Sequence, residues 1–261
     1  MRSTGAVARW CWAAPVLAMG VAGCRLRHLD LTADRTAAAP AAGVHTVVIT
    51  SGAGWLRIQG HAGLDRIQAR GIAHASSDQF LAATTLDVTR RGDTVFVTAT
   101  TPADTGTAAG PPGLDLSIDV PMDVALAVTD ASGETIIHDV GPLRLATSGT
   151  GGVEIDGVAG TLDATDGPGD FQATNVRGDV RIRDGSGAIY LSNVSGNVDI
   201  PTDGAGEVQV ADVTGSVHVG AKSSGEVAAR NVGGDLLVDA TGSGSVEYHD
   251  VKGHVTLPGR R

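Results

Sequence analysis

Between residues 124 and 258 apolar and polar positions alternate in short runs, and the runs recur at a nearly constant step. Asp179-Val180-Arg181-Ile182-Arg183-Asp184-Gly185-Ser186-Gly187 is followed by Ala188-Ile189-Tyr190-Leu191-Ser192-Asn193-Val194-Ser195-Gly196. In each half the apolar residues sit two apart, Val180 with Ile182 and Ile189 with Leu191, which is the pattern of a strand with one buried face. Each half then reaches Asp or Asn and closes on Gly, residues that tolerate left-handed backbone and turn corners.

A valine followed within two residues by glycine returns at Val140, Val158, Val176, Val194, Val213, Val232 and Val251, a step of 18, 18, 18, 19, 19 and 19 residues. Gly133, Gly151, Gly169, Gly187, Gly206, Gly225 and Gly244 keep the same step. A strand this short cannot bury its apolar face alone, whereas stacking the next copy over it does. The spacing therefore predicts two inward columns. One runs Leu126, Leu162, Val180, Val198, Val217, Leu236 and Val255; the other runs Ile137, Ile155, Ala173, Leu191, Val210, Ala229 and Tyr248.

The expected fold is all-β: a single-domain parallel β-solenoid with two short strands per coil and about seven regular coils of 18–19 residues over 124–258. A right-handed β-helix follows from the crossover preference of parallel strands. The extra residue of the 19-residue coils is expected in a corner near Pro201, Ala221 and Ala240. In the coil beginning at Leu143 the strand arrives one residue early, and the turn Ser148 to Gly152 absorbs the difference.

Residues 44–123 read as a less regular β portion of the same domain. Strands are expected at Val44–Ile49, Trp55–Ile58, Leu64–Ala69, Leu86–Thr89, Thr94–Thr98 and Leu114–Val120. A helical turn or two is expected at Ser76–Ala83, capped by Ser76 or Ser77, and Pro102–Gly113 reads as a surface loop.

The start of the chain reads as an address. Arg2 and Arg9 precede an apolar stretch from Trp10 to Gly23, shorter than the roughly 20 residues that span a bilayer, so residues 1–23 are expected to be a signal peptide. Val21-Ala22-Gly23-Cys24 resembles the bacterial lipobox, which implies acylation at Cys24 as the first mature residue. Arg25 stands where an inner-membrane retention signal carries Asp, which implies the outer membrane or a periplasm-facing surface if the cell has two membranes. Residues 24–43, Ala-rich with Pro40, are expected to be the lipidated cysteine and a flexible tether.

Composition narrows the chemistry. Aromatics are 3% of 261 residues while Gly numbers 37, which suits thin stacked layers. The net charge of −10 excludes nucleic acid as a partner. The two cysteines, Cys11 and Cys24, leave the rest of the chain without disulfide, thiol nucleophile or cysteine metal site. A calcium-binding β-roll needs Asp two places after the last glycine of its repeat. That place holds Thr135, Val153, Phe171, Ile189, Val208, Val227 and Val246, so the calcium reading is rejected.

Two corner ladders remain: Asp130, Asp166, Asp184 and Asp203 on one edge, and Asn175, Asn193, Asp212, Asn231 and Asp250 on the other. Stacked carboxylates about 5 Å apart suit a divalent cation or paired acid–base work on a polysaccharide. A tight corner also demands these residue types, and that reading is preferred. His218, His249 and His254 fall in or near the last coils and could sit on one face, but separate surface histidines are the preferred reading. No cofactor, metal ligand set or catalytic constellation is expected. Function is left to outward residues such as Arg181, Arg183, Tyr190, Gln209, His218 and Glu247.

The run Ser51-Gly52-Ala53-Gly54-Trp55-Leu56-Arg57-Ile58-Gln59-Gly60, the phrase Leu116-Ser117-Ile118-Asp119-Val120-Pro121 and the recurring Ser-Gly and Val-x-Gly units resemble a bacterial family named as adhesins, a domain of unknown function in envelope proteins. The resemblance implies a β-solenoid and an adhesive role, and it supplies no site residues. The function expected is a non-enzymatic, lipid-anchored envelope protein presenting a repetitive surface for adhesion or scaffolding. Its partners would be the membrane through Cys24 and an envelope polysaccharide or protein. The alternatives are a polysaccharide-acting β-helix enzyme and end-to-end self-association.

Overall fold

The computed structural model describes residues 31–102 and 111–258. The expected signal peptide, Cys24 and most of the loop expected at 102–113 lie outside the described residues.

Two walls of eleven strands enclose one apolar core. The first wall, sheet A, holds β1 (Leu31–Pro40), β3 (Leu56–His61), β4 (Arg66–Ala75), β7 (Gly113–Pro121), β9 (Thr135–Val140), β11 (Val153–Val158), β13 (Phe171–Val176), β15 (Ile189–Val194), β17 (Val208–Val213), β19 (Val227–Val232) and β21 (Val246–Val251). The second, sheet B, holds β2 (Thr46–Ala53), β5 (Thr85–Arg91), β6 (Thr94–Thr100), β8 (Ala125–Ser132), β10 (Leu143–Thr147), β12 (Leu162–Thr165), β14 (Val180–Arg183), β16 (Val198–Ala205), β18 (Val217–Ser224), β20 (Leu236–Ala240) and β22 (Val255–Thr256).

From β8 onward the chain alternates between the walls, and every strand pairs in parallel with its equivalent one coil away. This is the β-solenoid the periodicity predicts, about seven turns after an irregular beginning. Both inward columns hold in register, and Leu143 completes the first between Leu126 and Leu162. Tyr248 is aligned with Ala229 but is 43% exposed, because β21 is the last strand of its wall and no described coil covers it.

The extra residue of the longer coils sits inside a strand rather than in a corner. Arg181 aligns with Asp199 and Arg183 with Thr202, so Ile200 and Pro201 together oppose Ile182 in a β-bulge. Pro201 has no N–H to give the ladder, and a bulge is where a strand tolerates that. Later coils carry the same extra residue, so Thr202, Ala221 and Ala240 are back in line.

The corners at the end of the sheet A strands show why Asn and Asp recur there. Asp139, Asn175, Asn193, Asp212, Asn231 and Asp250 have φ of 53° to 58°, the left-handed region these side chains tolerate best, and Gly157 takes the equivalent place at φ 82°.

The first third is a stack, but not in chain order. The coil β2–β3 lies between β6–β7 and β8–β9, with parallel pairing on both sides. Antiparallel strands finish this end: β4 on β7, β1 on β4, and β5 on β6. Leu31–Pro40, expected to be tether, is thus a ten-residue edge strand aligned from Leu31 with Ala75 to Pro40 with Arg66. Its small side chains give no apolar period, and its backbone pairing with β4 holds it in place. Arg35 from this strand donates to the carbonyls of Leu81 (2.7 Å) and Thr84 (2.9 Å), tying down the C-terminal end of α1 (Asp78–Ala83). Ser77 caps that helix by accepting from the Phe80 N–H, as expected.

Val194 is 1% exposed and faces the interior. Val194→Asp places an unpaired charge among apolar columns and costs about 3–5 kcal/mol. A thermal melt of the full chain checks this, and an unchanged midpoint would mean that Val194 does not point inward.

Candidate functional site

Outward residues divide between the walls. On sheet B the charged side chains that sequence reasoning singled out are already paired. Arg181 bonds Asp199, and His218 lies between Asp199 (2.9 Å) and Asp239 (2.9 Å). Arg183 reaches Asp163 at 3.3 Å, with Arg144 on the other side of that carboxylate at 3.8 Å. The hydrogen bond to Asp239, and then the one to Asp199, raise the pKa of His218 above that of a free imidazole. Opposite charges on adjacent rungs stitch the coils together and leave little charge free for a ligand.

Sheet A differs. Its outward positions form two columns in register, Glu154-Gln172-Tyr190-Gln209-Ala228-Glu247 and Asp156-Thr174-Ser192-Ala211-Arg230-His249. Between the acids Glu154 and Asp156 at one end and Arg230 and Glu247 at the other, three coils present no charge on a protein of net charge −10. There a trough of about 280 Å³ is lined by Gln172, Tyr190, Ser192, Gln209 and Arg230, with Ala211 and Ala228 leaving room beside the ring. Gln209 Nε2 donates to Glu207 at 2.7 Å; the side chains of Tyr190, Gln172 and Arg230 are free of intramolecular hydrogen bonds and ion pairs among the described residues.

The neighbouring corner also forms a groove, of about 380 Å³, beside Asp139, Asp156, Asn175 and Asn193. Its polar groups are spent on one another. Thr174 donates to Asp156 at 2.9 Å, Asn175 donates to Asp156, and Asn193 donates to Asn175. The bonds from Asn175 and then Thr174 hold the Asp156 carboxyl below its ordinary range. The corner expectation for this ladder is therefore met by both backbone and side chains. The three histidines are separate, in line with the preferred reading: His218 is on sheet B, His249 is on sheet A, and His254 lies between β21 and β22.

The other acidic ladder is not on an edge. Asp130, Asp166, Asp184 and Asp203 point inward beneath the corners that follow the sheet B strands, at 2%, 5%, 7% and 4% exposure. The same inward column begins with Ser51, includes Thr147 and ends with Lys222 and Thr241. Lys222 is fully enclosed, bonds Asp203 and donates to the Gly206 carbonyl at 2.6 Å. Thr147 donates to Asp166, and Thr135 donates to Asp130 at 3.2 Å. Neither oxygen of Asp184 has a partner. Buried acids out of reach of substrate cannot perform the glycoside chemistry that paired carboxylates suggested. A linear stack also cannot converge on one ion, and among the described residues no group of three potential ligands could hold a metal. The sequence reading missed Lys222. The signal was present in the 19-residue step from Asp203 to Lys222, which puts both in one column.

No family model matches the chain, and no curated protein matches it. Solved structures do align with it. One provisionally named a cell adhesion protein, from Clostridium sporogenes, is 9% identical over 87% of this chain and 99% of its own, with a TM-score of 0.37. One provisionally named an adhesin, from Bacteroides fragilis, is 14% identical over 86% and 97%, with a TM-score of 0.31. One provisionally named a lipid binding protein, from Parabacteroides distasonis, is 14% identical over 85% and 96%, with a TM-score of 0.40.

Breaking the enclosed ion pair exposes how the column is balanced. Lys222→Met leaves Asp203 without its cation and destabilises the chain by about 3–5 kcal/mol, whereas Asp203→Leu combined with Lys222→Met recovers most of that loss. Denaturant unfolding of the single and double variants checks the difference.

Proposed function

We propose that the protein is a non-enzymatic component of the bacterial cell envelope that uses its solenoid as a rigid support for adhesion or scaffolding, and that the uncharged middle of sheet A binds a neutral oligosaccharide. The observation that carries this reading is the trough around Tyr190. A phenol ring stands between the amides of Gln172 and Gln209 on adjacent rungs about 4.8 Å apart. A ring face receives the apolar side of a sugar, and amides beside it donate to and accept from hydroxyls. Gln172, Tyr190, Ser192 and Gln209 carry no charge, and Arg230 at the end of the trough can donate to the hydroxyls of a neutral sugar.

Binding at the envelope is supported by Val21-Ala22-Gly23-Cys24, which would place a lipid on Cys24 and hold the solenoid at a membrane. Several acyl chains, unlike one, give lasting attachment.

Titration of the full chain against neutral and uronate-bearing oligosaccharides tests the ligand. Binding of a neutral glycan that weakens at least tenfold in Tyr190→Ala and survives Arg181→Ala is the expected result. Release of new reducing ends, or binding unaffected by Tyr190→Ala, overturns the reading. Labelling with a lipid precursor is expected to mark the wild type and not Cys24→Ala; equal labelling would remove the anchor.

A further inference from the structure

The inward acidic column poses a problem of hydrogen bonding that side chains alone do not solve. Asp166, Asp184 and Asp203 occupy consecutive coils, on rungs about 4.8 Å apart. Asp166 Oδ2, both oxygens of Asp184 and Asp203 Oδ1 are buried without a partner. Ionised carboxylates offer only acceptors, so neighbours in the stack can bond one another only when one of them carries a proton. Lys222 is committed to Asp203 and to a carbonyl, and Thr147 to Asp166. From the facing wall Phe171, Ile189 and Val208 project inward and bring no charge. The acids of that wall are engaged elsewhere: Asp170 is exposed and accepts from the Ala188 N–H at 2.9 Å, and Glu207 accepts from Gln209. Outside the barrel at this level, Arg181 and Arg183 are held by Asp199 and Asp163.

The geometry points to a proton-operated switch inside the solenoid: Asp184 is neutral between Asp166 and Asp203, closes the corner by donating to Asp203, and loosens it on ionising. Burial, then the charges of Asp166 and Asp203, push the Asp184 carboxyl from 3.8 to about 7. Burial likewise raises Asp166, and raises Asp130 to about 6. Each folded value lies above the ordinary one, so the stability these groups contribute is complete in acid. It is lost as pH rises through about 6 for Asp130 and about 7 for Asp184. His218, also raised, has the same sign, while Asp156, lowered, acts only in stronger acid and in the opposite sense.

The position of the switch gives it something to act on. The corner after Asp166 leads into β13, the corner after Asp184 into β15 and the corner after Asp203 into β17. Those three strands carry Gln172, Tyr190 and Gln209. A corner that loosens above neutral pH therefore moves the strands that form the outer trough. The switch itself does not depend on what the trough binds.

The test is a carboxyl-carbon NMR titration of the labelled full chain, with thermal melts between about pH 5 and pH 8. A carboxyl titrating near neutrality that disappears in Asp184→Asn is expected. So is a wild-type melting midpoint that falls as pH rises, and a flatter, higher profile for Asp184→Asn at the alkaline end. If that variant does not fold, Asp166→Asn is expected to move the same titration to lower pH by removing one facing charge. Absence of any carboxyl titrating near neutrality, or an Asp184→Asn profile with the wild-type slope, overturns the proposal.

Discussion

In the regular coils from β8 onward each inward side chain rests on the side chain 17 to 19 residues before it and supports the one 17 to 19 residues after it. A two-strand coil has too little apolar area to pay the entropy of ordering its own backbone, so it exists only between neighbours. That dependence explains the monotony of the interior. A residue acceptable at one level must be acceptable against copies of itself, which favours Val, Leu, Ile and Ala and leaves the interior with Phe171 as its one fully buried aromatic ring among the described residues. It also explains how an insertion is accommodated. Once Ile200 and Pro201 add a residue, every later coil repeats the addition instead of returning to the shorter step.

The same rule makes polar residues costly inside the barrel and useful outside it. Outward, like positions on adjacent coils meet as pairs, and sheet B fills them with alternating charge from Arg181 through Asp199 and His218 to Asp239. Inward, a column of aspartates has no such freedom. It is relieved at one end by Lys222 and at the other by threonine hydroxyls, leaving Asp184 in the middle with nothing but its own proton.

Most of the regular architecture was legible because a single period carries it. Val180 over Val198 over Val217 is readable from spacing alone, and the structure keeps that alignment. What was not legible lacked a period or had two meanings. Leu31–Pro40 looked like tether because its alanines carry no alternation of hydropathy; what orders it is the backbone of β4, brought alongside by the fold. Asp184 looked like a turn residue because an aspartate before glycine does turn corners. Whether its side chain ends in water or under the next coil depends on what is stacked above and below. For the outer face, residue type marked out Tyr190, Gln209, Arg181 and His218 equally, and only the partners supplied by neighbouring coils separate the paired from the free.

The displaced coil at the start of the stack also bears on how the molecule assembles. Regular coils close contacts between residues one period apart, so they can be added one at a time as a growing ladder. The coil β2–β3 cannot be finished that way, because Leu56 must pair with Leu116 on one side and Thr135 on the other. Its two faces are covered by chain that is made much later, separated from it by the antiparallel cap. The segment translated early is thus enclosed only after β8 and β9 are made, and until then its strand edges are open to any other extended chain. Closure of this part of the stack therefore waits until the chain is made at least to β9, and that delay is a property of topology rather than of any one residue.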